Sequence, residues 1–140
     1  MTSELADTSA WFASRREPEI RSRFDDLVAR AAISICDAVK LELLYTARNA
    51  SELAARRAEL DLLPQCPIGP YEFRRALDVY EALAHQGGLH HRRVKHPDLL
   101  IAAAAESVGV PVLHYDRDFE AIGSITGQAM RWIAPPGSIG

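Results

Sequence analysis

Apolar positions recur along this chain at two spacings. From Pro18, the series Ile20, Phe24, Leu27 and Val28 keeps the i, i+4, i+7, i+8 rule with Glu19, Arg23 and Asp26 off the stripe, which predicts an amphipathic helix. The apolar run from Ala31 to Cys36 reads as a strand, and Asp37 is placed to cap a helix from Ala38 to Tyr45 in which Glu42 is surrounded by leucines. Asn49-Ala50-Ser51-Glu52 has the spacing of a capping box ahead of a helix over 53–63. The proline-flanked piece 64–68 reads as a sheet strand with few hydrogen bonds. Gly69-Pro70 opens a helix with Phe73, Leu77, Tyr80 and Leu83 on one side, and Gln86-Gly87-Gly88 closes it.

Around residue 100 the pattern changes from stripe to block. Pro97 in a first-turn position, four successive alanines from Ala102 and the stop at Gly109 predict a helix with a wide apolar face. A short buried strand follows through Val112 and Leu113 and ends at Asp116 and Asp118; a helical turn over 119–125 and a last strand over 128–133 complete the chain. At the other end, Leu5-Ala6 forms a first strand behind a polar start, Met1 to Glu4, and Thr8-Ser9 open a helix after Asp7. Helices alternating with short strands predict a single 1–140 α/β domain: a three-layer α/β/α sandwich around a mainly parallel, Rossmann-like sheet. In such sheets ligands gather outside the carboxyl ends of the strands, where Asp7 and Asp116 fall. Asp98, in the first turn of a helix that packs back along the sheet, is carried to the same rim.

Composition narrows the function. Nearly half the residues are apolar, enough for one core, yet no run reaches the length of a membrane span and no basic-then-apolar leader is present, so a cytoplasmic protein without a membrane partner is expected. Cys36 and Cys66 are isolated thiols without metal spacing. A net charge of −3 argues against a nucleic-acid partner until the acids are sorted by place. If Asp7, Glu42, Asp98, Asp116 and Asp118 form one cation-binding cluster, the rest of the chain turns net positive. Its most basic segment, with Arg92, Arg93 and Lys95, runs straight into Asp98 and suits contact with phosphates.

Taken singly, each acid has a structural role: a cap, a helix-dipole partner or a turn residue. Taken together, carboxylates this close repel and call for a hard divalent cation; oxygen-only ligation suits Mg²⁺ or Mn²⁺. A metal held this way acidifies water and shields a phosphate, which is the chemistry of phosphodiester hydrolysis. His90, His91 and His96 lack the partner cysteine and helical pairing of a zinc site. Trp11, Phe12 and Tyr45 read as core or dimer interface before they read as platforms for RNA bases.

Asp7-Thr8-Ser9-Ala10, Leu41-Glu42-Leu43-Leu44, Pro97-Asp98-Leu99-Leu100-Ile101-Ala102-Ala103 and His114-Tyr115-Asp116-Arg117-Asp118-Phe119, in that order, resemble the four acidic motifs of the PIN-domain nucleases, in particular the VapC toxins of bacterial VapBC toxin–antitoxin pairs. The resemblance spans almost the whole chain. It implies a Mg²⁺- or Mn²⁺-dependent endoribonuclease in which Asp7, Glu42, Asp98 and Asp116 bind metal or orient the attacking water. Asp7, Asp98 and Asp116 are the expected ligands, with Ser9, Thr8 and Asp118 in support. It also implies a homodimer held in check by a VapB-type antitoxin. His96 stands where an aliphatic residue is common in that family. Two other classes remain open at this level: a catalytically silent module on the same scaffold, and a phosphoacceptor receiver domain. The latter needs a lysine after its final strand, and here none follows Lys95.

Overall fold

The computed structural model describes residues 3–139; Met1, Thr2 and Gly140, and with them the first two residues of the polar start and the outer ends of the expected 1–140 domain, lie outside the described residues, while Glu4 is already the first residue of the first strand. Four strands, β1 (Glu4–Ala6), β2 (Ile33–Ser34), β3 (Val112–His114) and β4 (Met130–Trp132), form one sheet in the order β2-β1-β3-β4. Every pairing in it is parallel, with Leu5 opposite Ser34 on one side and Val112 on the other. Among the described residues seven α-helices connect the strands: α1 (Thr8–Ser14), α2 (Pro18–Ala29), α3 (Asp37–Leu44), α4 (Ala50–Leu60), α5 (Pro70–His85), α6 (His96–Val108) and α7 (Asp118–Thr126).

Strand alternation sorts the helices into two layers. Leu5 and Val112 point into a core shared with Val39, Leu83, Ile101 and Phe119, from α3, α5, α6 and α7. Their neighbours Ala6 and Leu113 point the other way, onto Ala10 of α1 and Phe24 of α2. In α6, Ala102 to Ala105 are all buried, because small side chains let the helix lie close to β1 and β3. Gly109 ends it with φ of 76°, a left-handed turn that sends the chain into β3. The short strands end together at one rim, and α6 begins at that rim.

Several local expectations change. The strand expected over 31–36 shrinks to Ile33–Ser34: Ala31 takes a positive φ of 57°, and Ile35 pairs only with Gln65. The strand expected over 64–68 reduces to that one bridge, since Pro64 and Pro67 have no N–H to donate. Asp37 is the first helical residue and makes no cap; Cys36 stands at the cap position. Asn49 does cap α4, accepting from the Glu52 N–H at 2.8 Å, but the Glu52 carboxylate turns to Arg48 and Arg56 and leaves the box half made.

On α5 the buried stripe is Ala76, Val79 and Leu83 against α6, while Phe73 and Leu77, expected to face inward, are 54% and 65% exposed. The stripe that faces α6 is thus offset from the expected one, and of the expected apolar residues Leu83 alone is fully buried. Trp11 and Phe12 do pack on the core, but Tyr45 is 90% exposed.

Candidate active site

β1 delivers Asp7 to the rim. The Asp7 N–H still pairs with the Leu113 carbonyl at 2.9 Å, so the residue is held to β3, and the next residue starts α1. Its Oδ2 caps that helix, accepting from the Ser9 N–H at 3.0 Å and the Ser9 hydroxyl at 2.6 Å. The Ser9 Oγ accepts in turn from the Tyr115 N–H at 2.8 Å, so one hydroxyl ties the ends of β1 and β3 together. The other oxygen of Asp7, Oδ1, is buried and has no partner.

Asp98 enters from α6. It lies in the first turn and is 3% exposed, and its Oδ2 makes no hydrogen bond. Asp116 and Asp118 come from the turn after β3, where Asp116 Oδ1 accepts the Asp118 N–H at 2.9 Å. His114, the last residue of β3, takes the Asp116 N–H on Nδ1 at 3.2 Å. Its ring is fully buried between Phe119 and Trp132, and burial pushes its pKa down to about 4, so it stays neutral and works as an acceptor.

Asp98, Asp116 and Asp118 each offer an oxygen within 4.8 Å of the others, and this group can hold a metal ion. Asp7 stands beside them, close enough for its charge to act on Asp98. Burial, the Asp7 charge and a proton shared with Asp118 push Asp98 up to about 9. Asp7 is also raised, by burial first, although the hydrogen bonds from Ser9 oppose it. Burial pushes Asp118 the same way, but the shared proton and Lys95 outweigh it and leave it lowered.

Glu42 corrects the picture of a carboxylate buried among leucines. Its segment of α3 faces solvent, with Leu41 73% exposed, and Glu42 reaches inward only through the Thr8 hydroxyl, which donates to it at 3.0 Å. Lys95 is the residue that sequence reasoning placed differently. Its side chain was expected at the phosphate surface, yet Nζ lies 2.7 Å from Asp116 Oδ2, 2.9 Å from Asp118 Oδ2 and 3.4 Å from Asp98 Oδ2. The signal was there: a lysine three residues before an acid at a helix start faces that acid. Arg92 and Arg93 stay exposed on a 3-10 turn (His90–Arg93). His96 leans on the Tyr80 hydroxyl at 3.3 Å, and among the described residues no histidine joins a metal-ligating group.

The donor set suits a divalent ion. Every candidate ligand is a carboxylate, Asp7 Oδ1 is buried with no partner, and Asp98 Oδ2 is buried without a hydrogen bond, met only by the Lys95 ammonium at 3.4 Å; such oxygens are costly unless a cation meets them.

Comparison with known proteins points the same way. Residues 5–125 match the PIN domain. The chain is 47% identical over 133 residues to Ribonuclease VapC18 of Mycobacterium tuberculosis, covering 95% of this chain and 96% of that protein. The chain belongs to the PIN-domain family, in its VapC branch. Ribonuclease VapC21 of the same species is 38% identical over 140 residues, covering 98% of both chains. The DNA-bound VapBC from Salmonella typhimurium shares the fold, with a TM-score of 0.71 at 23% identity over 96% of this chain and all of that one. In this PIN domain the acids at the rim are thus presented by the two central strands, β1 and β3, and by the start of α6.

Proposed function

We propose that this VapC-family chain is a Mg²⁺- or Mn²⁺-dependent endoribonuclease that hydrolyses RNA phosphodiester bonds, acting in the cytoplasm as the growth-inhibiting toxin of a toxin–antitoxin pair. The observation that carries this reading is the group of Asp98, Asp116 and Asp118 at one rim, their oxygens within 4.8 Å of one another, with Asp7 beside it and the buried Oδ1 of Asp7 left without a partner. Asp7, Asp98 and Asp116 would hold the ion, with Asp118 beside them. When bound, the ion neutralises charge on the phosphate and makes water a better nucleophile. Glu42, held by Thr8, orients the attacking water and accepts its proton. Ser9 fixes the orientation of Asp7. Asp118 keeps the start of α6 in place by accepting the Lys95 N–H at 3.1 Å. Arg92 and Arg93 meet the RNA backbone, and Lys95, expected with them, is engaged by the acids.

Relatives named as VapC ribonucleases support the reaction class, and the VapBC neighbours support a VapB-type antitoxin as partner. Exposed Leu41, Tyr45 and Leu53, on α3 and α4, offer that partner an apolar surface. Exposed Tyr71, Phe73 and Leu77 on α5 offer a second, suited to a homodimer.

The test is cleavage of total bacterial RNA by purified, antitoxin-free protein with Mg²⁺ or Mn²⁺, alongside EDTA and Asp98→Asn controls. Discrete fragments that vanish in both controls support the reading. No cleavage by folded protein moves the chain to the silent binding module.

A further inference from the structure

Lys95 and a divalent cation share their partners. The ammonium contacts Asp116 Oδ2 at 2.7 Å and Asp118 Oδ2 at 2.9 Å and lies 3.4 Å from Asp98 Oδ2, and these three carboxylates are the ones whose oxygens fall within 4.8 Å of one another. An ion coordinated at about 2.1 Å by such oxygens would stand within a few ångströms of Nζ. Like charges at that separation repel strongly in a half-buried site. The two cations therefore exclude each other.

The geometry of Lys95 suits exchange. Its backbone is anchored, because its N–H donates to Asp118 Oδ2 at 3.1 Å and its carbonyl, at the N-cap position of α6, accepts the Asp98 N–H at 3.1 Å. Its side chain is 61% exposed, so the four-carbon stem can turn outward without opening the core. It follows Arg92 and Arg93 in the chain, so an ammonium released from the acids joins a basic rim.

We propose that Lys95 is a tethered counter-ion that keeps Asp98, Asp116 and Asp118 assembled and that a divalent ion must displace, freeing the ammonium for the phosphate of the incoming RNA. This rests on the cluster being the metal centre. Lys95 thereby weakens metal binding while holding the ligands ready for it, and couples the arrival of metal to the appearance of a phosphate contact.

The experiment is Mn²⁺ binding by titration calorimetry, without RNA, on wild type, Lys95→Met, Lys95→Arg and Asp98→Asn, with thermal unfolding of each in EDTA and in Mn²⁺. Lys95→Met should bind Mn²⁺ about tenfold more tightly. It should also melt lower in EDTA and gain more from Mn²⁺, while Lys95→Arg stays close to wild type. Wild-type or weaker affinity in Lys95→Met, with binding lost in Asp98→Asn, overturns the exchange and leaves the metal centre standing. Unchanged Mn²⁺ affinity in Asp98→Asn removes the metal centre itself and the proposal with it.

Discussion

Ser9 and Asp7 are joined twice, by a backbone N–H at 3.0 Å and a hydroxyl at 2.6 Å, both onto Oδ2. With that oxygen committed, Oδ1 is the one left free for a ligand, and the Tyr115 N–H on Ser9 Oγ keeps the pair in register with β3. Ser9→Ala removes a charge-assisted bond and strands the Tyr115 N–H, a loss of about 1.5–3 kcal/mol. Chemical denaturation should show that loss, and cleavage should fall by about 10- to 100-fold, as when a residue supporting a metal ligand is removed.

Thr8 and Glu42 make a separable pair. Thr8→Val keeps the shape of a buried residue and removes the only hydrogen bond that draws Glu42 toward the site among the described residues. Stability should change by about 1 kcal/mol. Cleavage should fall about tenfold with Mn²⁺ affinity nearly unchanged, because Glu42 handles water and not the ion.

His114 supports Asp116 from below. His114→Phe keeps the packing on Phe119 and Trp132 but takes away the acceptor for the Asp116 N–H. It also removes Nε2, which is buried without a partner, so the two effects offset and stability should move by no more than about 1 kcal/mol. A several-fold loss of cleavage at near-wild-type stability is the expected split.

The acids give metal-free protein an inverted pH profile. Asp98 is held up to about 9 and Asp7 is raised, against ordinary values of 3.8, so between those limits the folded chain keeps protons that the unfolded chain has lost. Stability in EDTA should therefore fall as pH rises through neutrality toward 9. His114 acts on the other side: with a pKa of about 4 when folded and 6.5 when unfolded, it costs stability as pH falls below 6.5. Between about pH 4 and 6.5 the His114 proton offsets that of Asp98, so melting temperatures in EDTA should change little there and fall above pH 6.5, and saturating Mn²⁺ should flatten the alkaline limb. Asp98→Asn should raise the melting temperature in EDTA at pH 8 by a few degrees, on the order of 1 kcal/mol.

Much of this architecture is legible in residue order. Pro18, Pro70 and Pro97 mark three helix starts, Gly109 marks a helix end, and the alternation of Leu5 with Ala6 and Val112 with Leu113 sets the two faces of the sheet. The acids that the structure gathers, Asp98, Asp116 and Asp118 with Asp7 beside them, are also readable, because strand ends and helix starts converge in parallel sheets. Less legible is anything decided by tertiary competition. Phe73 and Leu77 fit a helical stripe, yet Ala76, Val79 and Leu83 fit the contact with α6 better. Glu42 sits between leucines in sequence, but Leu41 turns to solvent and takes that stretch of α3 with it. Lys95 looks like one more charge in a basic loop until three carboxylates from two elements close around it.

Whether these carboxylates form one divalent-metal centre is settled by a crystal grown with Mn²⁺ and measured for anomalous scattering. A peak within about 2.2 Å of oxygens from Asp98 and Asp116, with Asp7 in the same shell directly or through water and Lys95 turned away, is the predicted result. Full-length, well-ordered protein with Mn²⁺ bound elsewhere, or with Lys95 still among the three acids at saturating Mn²⁺, would contradict the account.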